Sequence, residues 1–208
     1  MLLSTSGKRH LSKTVITAIG SGILKPTKLD IEGAERFEMT NLNYTVKSLN
    51  HFKDKTVIIS GGGHTAIDWA NELVPVAKKV YLTYRKDVLA DGQEAHVTQL
   101  MNSSATCFTN TSITKLIAGQ GNNVIERIQL TNHVTKEVSY LPIDEVIISH
   151  GYECEASLIR NSPVQIRTAD DSYIAGNAAC ETSVPGLYAA GDILKFDGKI
   201  NLTCRYVP

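Results

Sequence analysis

Thr56-Val57-Ile58-Ile59-Ser60 runs through Gly61-Gly62-Gly63 into Ala66, Ile67, Ala70, Leu73, Val74 and Ala77 at helical spacing, and this join constrains the fold more than any other feature. A β-branched run, three glycines and an amphipathic stretch read as strand, tight turn and helix. Pro75 lacks the N–H that a continuing helix needs, so the helix should end or kink there. A further strand is expected at Val80 to Tyr84. Strand, turn, helix and strand then occupy about thirty residues, the usual length of a βαβ unit.

Within that unit the spacing Gly61-x-Gly63-x-x-Ala66 is that of a dinucleotide-binding turn. Gly61 permits the turn, Gly63 leaves room for a pyrophosphate to approach the backbone, and Ala66 is small enough for helix and strand to pack closely. The helix opens at His64 and Thr65, so its unpaired N–H groups and positive end would face the diphosphate. Gly61, Gly62, Gly63, His64, Thr65 and Ala66 are the expected diphosphate-binding residues. The rival reading is a packing turn that binds nothing.

The choice of nucleotide is made at the end of the next strand, where an acidic residue would accept from a ribose 2′-hydroxyl and repel a 2′-phosphate. Here that strand ends in Tyr84-Arg85-Lys86, with Arg85 24 residues beyond Gly61. Two adjacent cations suit the 2′-phosphate dianion, Arg85 through a bidentate fork, and favour NADP(H) over NAD. A solvated strand end is the rival reading. Trp69 and Tyr84 are read as packing aromatics with no role in binding.

Elsewhere, Thr14 to Gly22 reads as a buried strand ending in a turn, and Pro26 to Phe37 as a polar connection. Ile113 to Ala118, Val124 to Leu130 and Val138 to Leu141 form short alternating runs broken by Gly119-Gln120-Gly121-Asn122-Asn123 and by Asn132 to Lys136, the pattern of a hairpin-linked meander. Glu145 to Ser149 is another buried strand, stopped by Gly151, and a turn-rich tail leads to Gly186-Leu187-Tyr188-Ala189-Ala190-Gly191-Asp192. The expected fold class is α/β: a Rossmann-like nucleotide-binding domain, with a parallel sheet and a three-stranded β-meander.

Acidic and basic residues balance at 21 each, which leaves no excess positive charge for a nucleic acid backbone. Cys107, Cys154, Cys180 and Cys204 show neither a Cys-x-x-Cys pair nor zinc spacing; they read as free thiols in a reducing cytoplasm, and no metal site is expected. The apolar runs fall far short of the roughly 20 residues of a membrane helix, and Met1 to Thr5 carries no cleavage pattern. A cytoplasmic protein without a membrane or nucleic acid partner is expected.

These residues resemble the ferredoxin/flavodoxin–NADP(+) reductases of the thioredoxin-reductase-like type, which are two-domain flavoproteins. The resemblance covers nearly the whole chain. It rests on Gly61 to Ala66, on Tyr84-Arg85-Lys86-Asp87, on the meander before Glu145 to Gly151, and on Gly186 to Ile193 followed by Gly198-Lys199-Ile200-Asn201-Leu202; Thr17-Ala18-Ile19-Gly20 is similar to an element of the first flavin segment. It implies that Asp192, with Gly191, meets the ribityl chain of FAD, and that Gly151 lies near the pyridine nucleotide. It also implies that segments 1–39 and 154–208 are remnants of a second, FAD-type Rossmann domain around an NADP(H)-binding domain at 40–153. Thioredoxin reductases proper would carry a Cys-x-x-Cys shortly before the Gly61 strand, where this chain has Asn41-Leu42-Asn43-Tyr44-Thr45-Val46-Lys47. The resemblance therefore implies hydride transfer between NADPH and FAD and delivery to a ferredoxin or flavodoxin-like acceptor, with no acid, base or nucleophile from the protein. A homodimer is among the assemblies it implies.

The chain departs from the family in three places. No Gly-x-Gly-x-x-Gly turn precedes Thr14, the sequence runs out at Arg205-Tyr206-Val207-Pro208 where the family continues, and Ala90 stands where relatives often have an arginine. FAD is expected in the full-length family and an incomplete flavin segment in this chain. The alternatives are a stand-alone NADP(H)-binding module without flavin or redox activity, and a fragment that binds neither ligand.

Overall fold

The computed structural model describes residues 2–4, 6–20, 23–89, 94–121, 123–155, 157–169 and 173–199. Ser21, Gly22, Ala90, Asn122, Ile200 to Leu202, Cys204 and Arg205 to Pro208, all named above, lie outside the described residues. The chain divides into two compact units, residues 26–151 and residues 1–25 with 152–208.

The central unit holds a five-stranded sheet ordered Leu42–Asn43, Glu145–Ile148, Thr56–Ser60, Lys79–Thr83 and Thr106–Phe108, with every pair parallel. A parallel sheet must be covered on both faces, and alternate residues of its strands supply two cores. Val57, Ile59, Val80, Leu82 and Ile147 pack against Ala66, Ile67, Ala70 and Leu73 of the helix His64–Leu73. Ile58, Val146 and Ile148 pack instead against Ile113, Leu116, Ile125, Ile128 and Leu130. Those last residues belong to an antiparallel meander of Thr111–Ala118, Ile125–Asn132 and Val138–Pro142, in which the second strand lies between the other two. The layers are thus helix, parallel sheet and meander. The α/β class and the three-stranded meander expected from the sequence are both present.

The helix stops at Leu73, two residues before Pro75, and the N–H groups of Val76 and Ala77 turn back onto the Leu73 carbonyl. Among the elements that escaped the sequence reading are the helix Glu94–Met101 and the edge strand Thr106–Phe108. In the helix only Leu100 is fully buried, with Val97 packed beside it, so no apolar stripe is visible. It is tied to the first helix by polar groups: His96 Nδ1 lies 2.5 Å from Asp68 Oδ1, and Asn71 Nδ2 donates to the His96 carbonyl at 3.0 Å.

Residues 26–39, placed with the first flanking segment in the sequence reading, pack with the central unit in the structure. Ala34 and Phe37 sit three residues apart on one turn of 3-10 helix and are both buried in the meander-side core. A repeat of 3.0 residues matches neither the helical nor the strand pattern, and the stretch therefore looked like a connection.

Asn41 joins the meander to the sheet. Its side chain is 4% exposed, donates to the Ile125 and Asp144 carbonyls at 2.8 Å each, and accepts from the Ile125 N–H at 2.9 Å. Asn41→Ala would leave these backbone groups without their partners. The expected cost is about 2 kcal/mol, read as a lower denaturation midpoint in urea.

In the flanking unit, Val15–Thr17 pairs in parallel with Leu187–Ala189, and a separate sheet joins Thr168–Ala169, Tyr173–Ala175 and Leu194–Lys195. Ile159, Ile174, Ala189, Ile193 and Leu194 form its core. The two segments that connect the units, Ile23–Pro26 and Tyr152–Glu155, pair with each other as strands.

Candidate nucleotide site

In the central sheet the chain steps outward in one direction from Thr56–Ser60 to Lys79–Thr83 and Thr106–Phe108, while Glu145–Ile148 lies on the other side. The carboxyl ends of Thr56–Ser60 and Glu145–Ile148 therefore flank a topological switch point, the place where open α/β sheets bind ligands. The glycine turn leaves one of these ends and Ser149-His150-Gly151 leaves the other.

The three glycines are small for three different reasons. Gly61 has φ +151°, and a Cβ there would lie 2.3 Å from the Ser149 carbonyl oxygen. At Gly62 a Cβ would fall 2.2 Å from Cγ of the Tyr84 ring. Among the described residues, its chain neighbours aside, nothing lies within 4 Å of a Cβ built on Gly63, which has ordinary extended backbone angles. The fold itself thus requires Gly61 and Gly62 but leaves Gly63 facing open space.

Gly63 caps the helix through its carbonyl, which accepts from the N–H groups of Ala66 and Ile67 at 3.0 and 3.2 Å, and as a glycine it offers no side-chain cap of its own. The N–H groups of the first turn have no partner further back in the helix, and the macrodipole places partial positive charge beside them. His64 and Thr65 are exposed and Ala66 is fully buried against the strand.

The Gly61 N–H donates to the Thr83 carbonyl at 2.9 Å, which fixes the turn to the end of the next strand. Beyond that end the backbone is held on its far side as well: Tyr84 N–H donates to the Phe108 carbonyl, and the carbonyls of Tyr84 and Lys86 accept from Thr111 and Asn110. The exposed Arg85 and Lys86 are thus carried on anchored backbone.

Ser60 and His150 were not singled out from the sequence, yet they lie at the centre of this corner. Ser149 N–H donates to the Ser60 carbonyl at 2.8 Å, and Ser60 Oγ shares a hydrogen bond of 2.9 Å with His150 Nε2. Crowding of the imidazole lowers the His150 pKa below the ordinary histidine value, and the charge of Arg85 lowers it further. No sequence signal marks this pairing, because which strands become neighbours is decided by topology. Tyr84, read earlier as packing alone, shapes the turn by closing against Gly62.

Gly61 to Ala66, Arg85, Lys86 and Gly151 are all at the carboxyl end of the central sheet. Gly191 and Asp192 belong to the flanking unit, where they follow the parallel strand Leu187–Ala189 and open a short 3-10 turn. The Lys199 ammonium donates to the Gly191 carbonyl at 2.6 Å.

A sequence profile described as pyridine nucleotide-disulphide oxidoreductase matches residues 1–191. The chain belongs to this family. Among its relatives, "Ferredoxin--NADP reductase 1" of Bacillus mycoides is 69% identical over 201 residues, 97% of this chain and 57% of that protein. "Ferredoxin--NADP reductase 2" of Exiguobacterium sibiricum is 61% identical over 202 residues, with the same coverage of 97% and 57%. The chain thus spans under two thirds of the length of these curated relatives. Among solved structures, the thioredoxin reductase of T. acidophilum matches with a TM-score of 0.77 at 22% identity, covering 92% of this chain and 60% of that one. The thioredoxin reductase of Lactococcus lactis matches with a TM-score of 0.73 at 21% identity, covering 88% and 58%. These likenesses establish the thioredoxin-reductase-like Rossmann fold, and the resemblance to ferredoxin–NADP reductases drawn from the sequence holds.

A member of this family is expected to hold a pyridine nucleotide, and the residues present fit one. The flank at Gly63, open among the described residues and at a helix N-terminus, suits a diphosphate, and Arg85 and Lys86 suit a further phosphate. Gly191 and Asp192 open the short turn that follows the strand Leu187–Ala189, a place that suits the polar chain of a flavin. The sequence contains no Cys-x-x-Cys, and the described Cys107 and Cys180 are free thiols. Burial pushes the Cys107 thiol up, which keeps it protonated and poorly nucleophilic. Among the described residues no group of His, Cys, Asp and Glu is placed to hold a metal, and no helix is long and apolar enough to cross a membrane.

Proposed function

We propose that the central unit is the NADP(H)-binding portion of an FAD-dependent NADPH:ferredoxin/flavodoxin oxidoreductase, with residues 1–25 and 152–208 contributing to its flavin side. The observation that carries this reading is the glycine turn, where, of the three glycines, Gly63 is the one with no described residue beyond its chain neighbours within 4 Å of an added Cβ, and it stands as the N-cap of the helix. A diphosphate is the kind of group that would make a small residue necessary there.

The protein's own share is to bind and align. The first-turn N–H groups after Gly63 receive the diphosphate, Arg85 and Lys86 receive the 2′-phosphate, and Gly151 borders the nucleotide from the neighbouring strand. Asp192, with Gly191, is assigned to the flavin ribityl chain. The bound cofactors would supply the redox chemistry, hydride transfer between NADPH and FAD. The names of the relatives point to ferredoxin as the acceptor, with a flavodoxin-like protein of similar role.

Calorimetric titration with NADP+ and NAD+ tests the reading. Arg85→Glu removes a charge-assisted pair and should weaken NADP+ on the order of a hundredfold, with NAD+ changed less than about threefold. Equal losses for both nucleotides would remove Arg85 from phosphate recognition, and no heat with either would remove the site altogether. A purified protein that is yellow and bleaches with NADPH supports the reductase. A colourless one that binds NADP+ identifies the stand-alone module.

A further inference from the structure

We propose that Ser60, His150 and Arg85 act as one unit at the switch point, in which a phosphate monoester held by Arg85 is bound together with a proton on His150. This rests on the nucleotide reading above and deepens it. His150 becomes a positioning residue for phosphate selectivity, acting through Arg85.

The three residues come from the carboxyl ends of three adjacent parallel strands. Ser60 closes Thr56–Ser60, His150 stands two residues beyond Glu145–Ile148, and Arg85 two residues beyond Lys79–Thr83. Ser60 Oγ holds Nε2 of the ring at 2.9 Å, so the imidazole has a defined place next to the first glycine of the turn. The residue remains exposed, which leaves it within reach of an incoming ligand.

In the free protein two effects lower the pKa of the ring, loss of hydration on partial burial first and the Arg85 charge second. Among the described residues, the other titratable groups of this corner include Tyr84, Lys86 and the acidic Asp87 beside Arg85, and His64 on the glycine turn. A dianionic phosphate on Arg85 cancels the repulsion that the guanidinium exerts on His150 and adds attraction of its own. The bound state then carries more protons on His150 than the free state. By linkage, NADP+ affinity gains from a fall in pH through the range below about 6.5, where an ordinary histidine protonates. NAD+ lacks the monoester and should show no such gain.

The phosphate monoester itself takes up a proton near pH 6, which weakens binding as pH falls. That loss is common to the unaltered chain and its variants, so the ratio of their affinities isolates His150. The test is calorimetric titration of the full chain, His150→Asn and Arg85→Gln with NADP+ and NAD+ at pH 8 and pH 6. Relative to His150→Asn, the unaltered chain should gain about fivefold in NADP+ affinity between pH 8 and pH 6, within the tenfold that one unit of pKa change allows. The gain should vanish with NAD+ and in Arg85→Gln. A constant ratio for NADP+ would overturn the inference while leaving nucleotide binding intact. If the unaltered chain shows no preference for NADP+ over NAD+ at pH 8, the nucleotide reading fails and this inference fails with it. Should the variants not fold, the ring resonances of His150 in the unaltered chain decide: their titration midpoint must rise with saturating NADP+ and stay in place with NAD+. An unmoved midpoint overturns the coupling.

Discussion

Gly63→Ala is expected to leave the unfolding midpoint of the chain nearly unchanged and to lower its NADP+ affinity at least about tenfold, while Gly61→Ala is expected to lose the fold of the turn. The two substitutions add the same methyl group two residues apart. At Gly63 it meets nothing within 4 Å, and the backbone angles there suit any residue. No described residue stands there to be displaced, so the cost falls on a ligand lying against the helix end, and a displacement costing about 1.4 kcal/mol is already tenfold. At Gly61 the methyl carbon would stand 2.3 Å from the Ser149 carbonyl oxygen on a backbone at φ +151°. Strain of this kind costs about 1–3 kcal/mol and overpacking as much again, so a loss of about 3 kcal/mol or more is expected. Thermal unfolding and NADP+ titration of the two variants side by side check the contrast. If Gly63→Ala unfolds as readily as Gly61→Ala, the third glycine serves the fold and the nucleotide assignment loses its main support.

Glu145→Ala should destabilise the central unit by about 3 kcal/mol without changing nucleotide affinity. The Glu145 side chain is 5% exposed, yet it is well supplied with partners. Lys55 Nζ lies 2.6 Å and His51 Nε2 2.9 Å from one carboxylate oxygen, and Asn43 Nδ2 donates to the other at 2.9 Å. Removing one member of a buried pair leaves the remaining charge poorly compensated. The low end of the usual range applies because Lys55 keeps some access to water. Glu145 opens its strand, and His150 lies beyond the other end. Five residues at about 3.3 Å each put roughly 15 Å between the two positions. Urea denaturation with a parallel NADP+ titration checks both halves of the expectation; a variant as stable as the parent would make the cluster a surface feature.

The glycine turn was legible because all of its information is local: strand, turn, helix and basic strand end follow one another within one βαβ unit. The meander was legible for the same reason, since alternation and turn residues are read within each hairpin. Partnerships between distant segments were hidden. His150 meets Ser60, and Glu145 meets Lys55, because Glu145–Ile148 inserts beside Thr56–Ser60 rather than following the edge strand Thr106–Phe108. Nothing in the order of residues announces that choice. The helix Glu94–Met101 was missed because it is held largely by Asp68 and Asn71 reaching across to His96, while the sequence test looks for apolar residues. The buried turn at Ala34 to Phe37 was missed because its period is three.

The Thr27 N–H donates to the Gly151 carbonyl at 3.0 Å, so the first and last turns of the central unit are clasped together. A fold whose ends touch is a cassette: it can be spliced into a host between neighbouring positions without stretching the host's backbone. Gly151 is also one wall of the proposed crevice, so the clasp and the ligand share a residue. Cargo in that crevice would therefore bear directly on the clasp that closes the cassette.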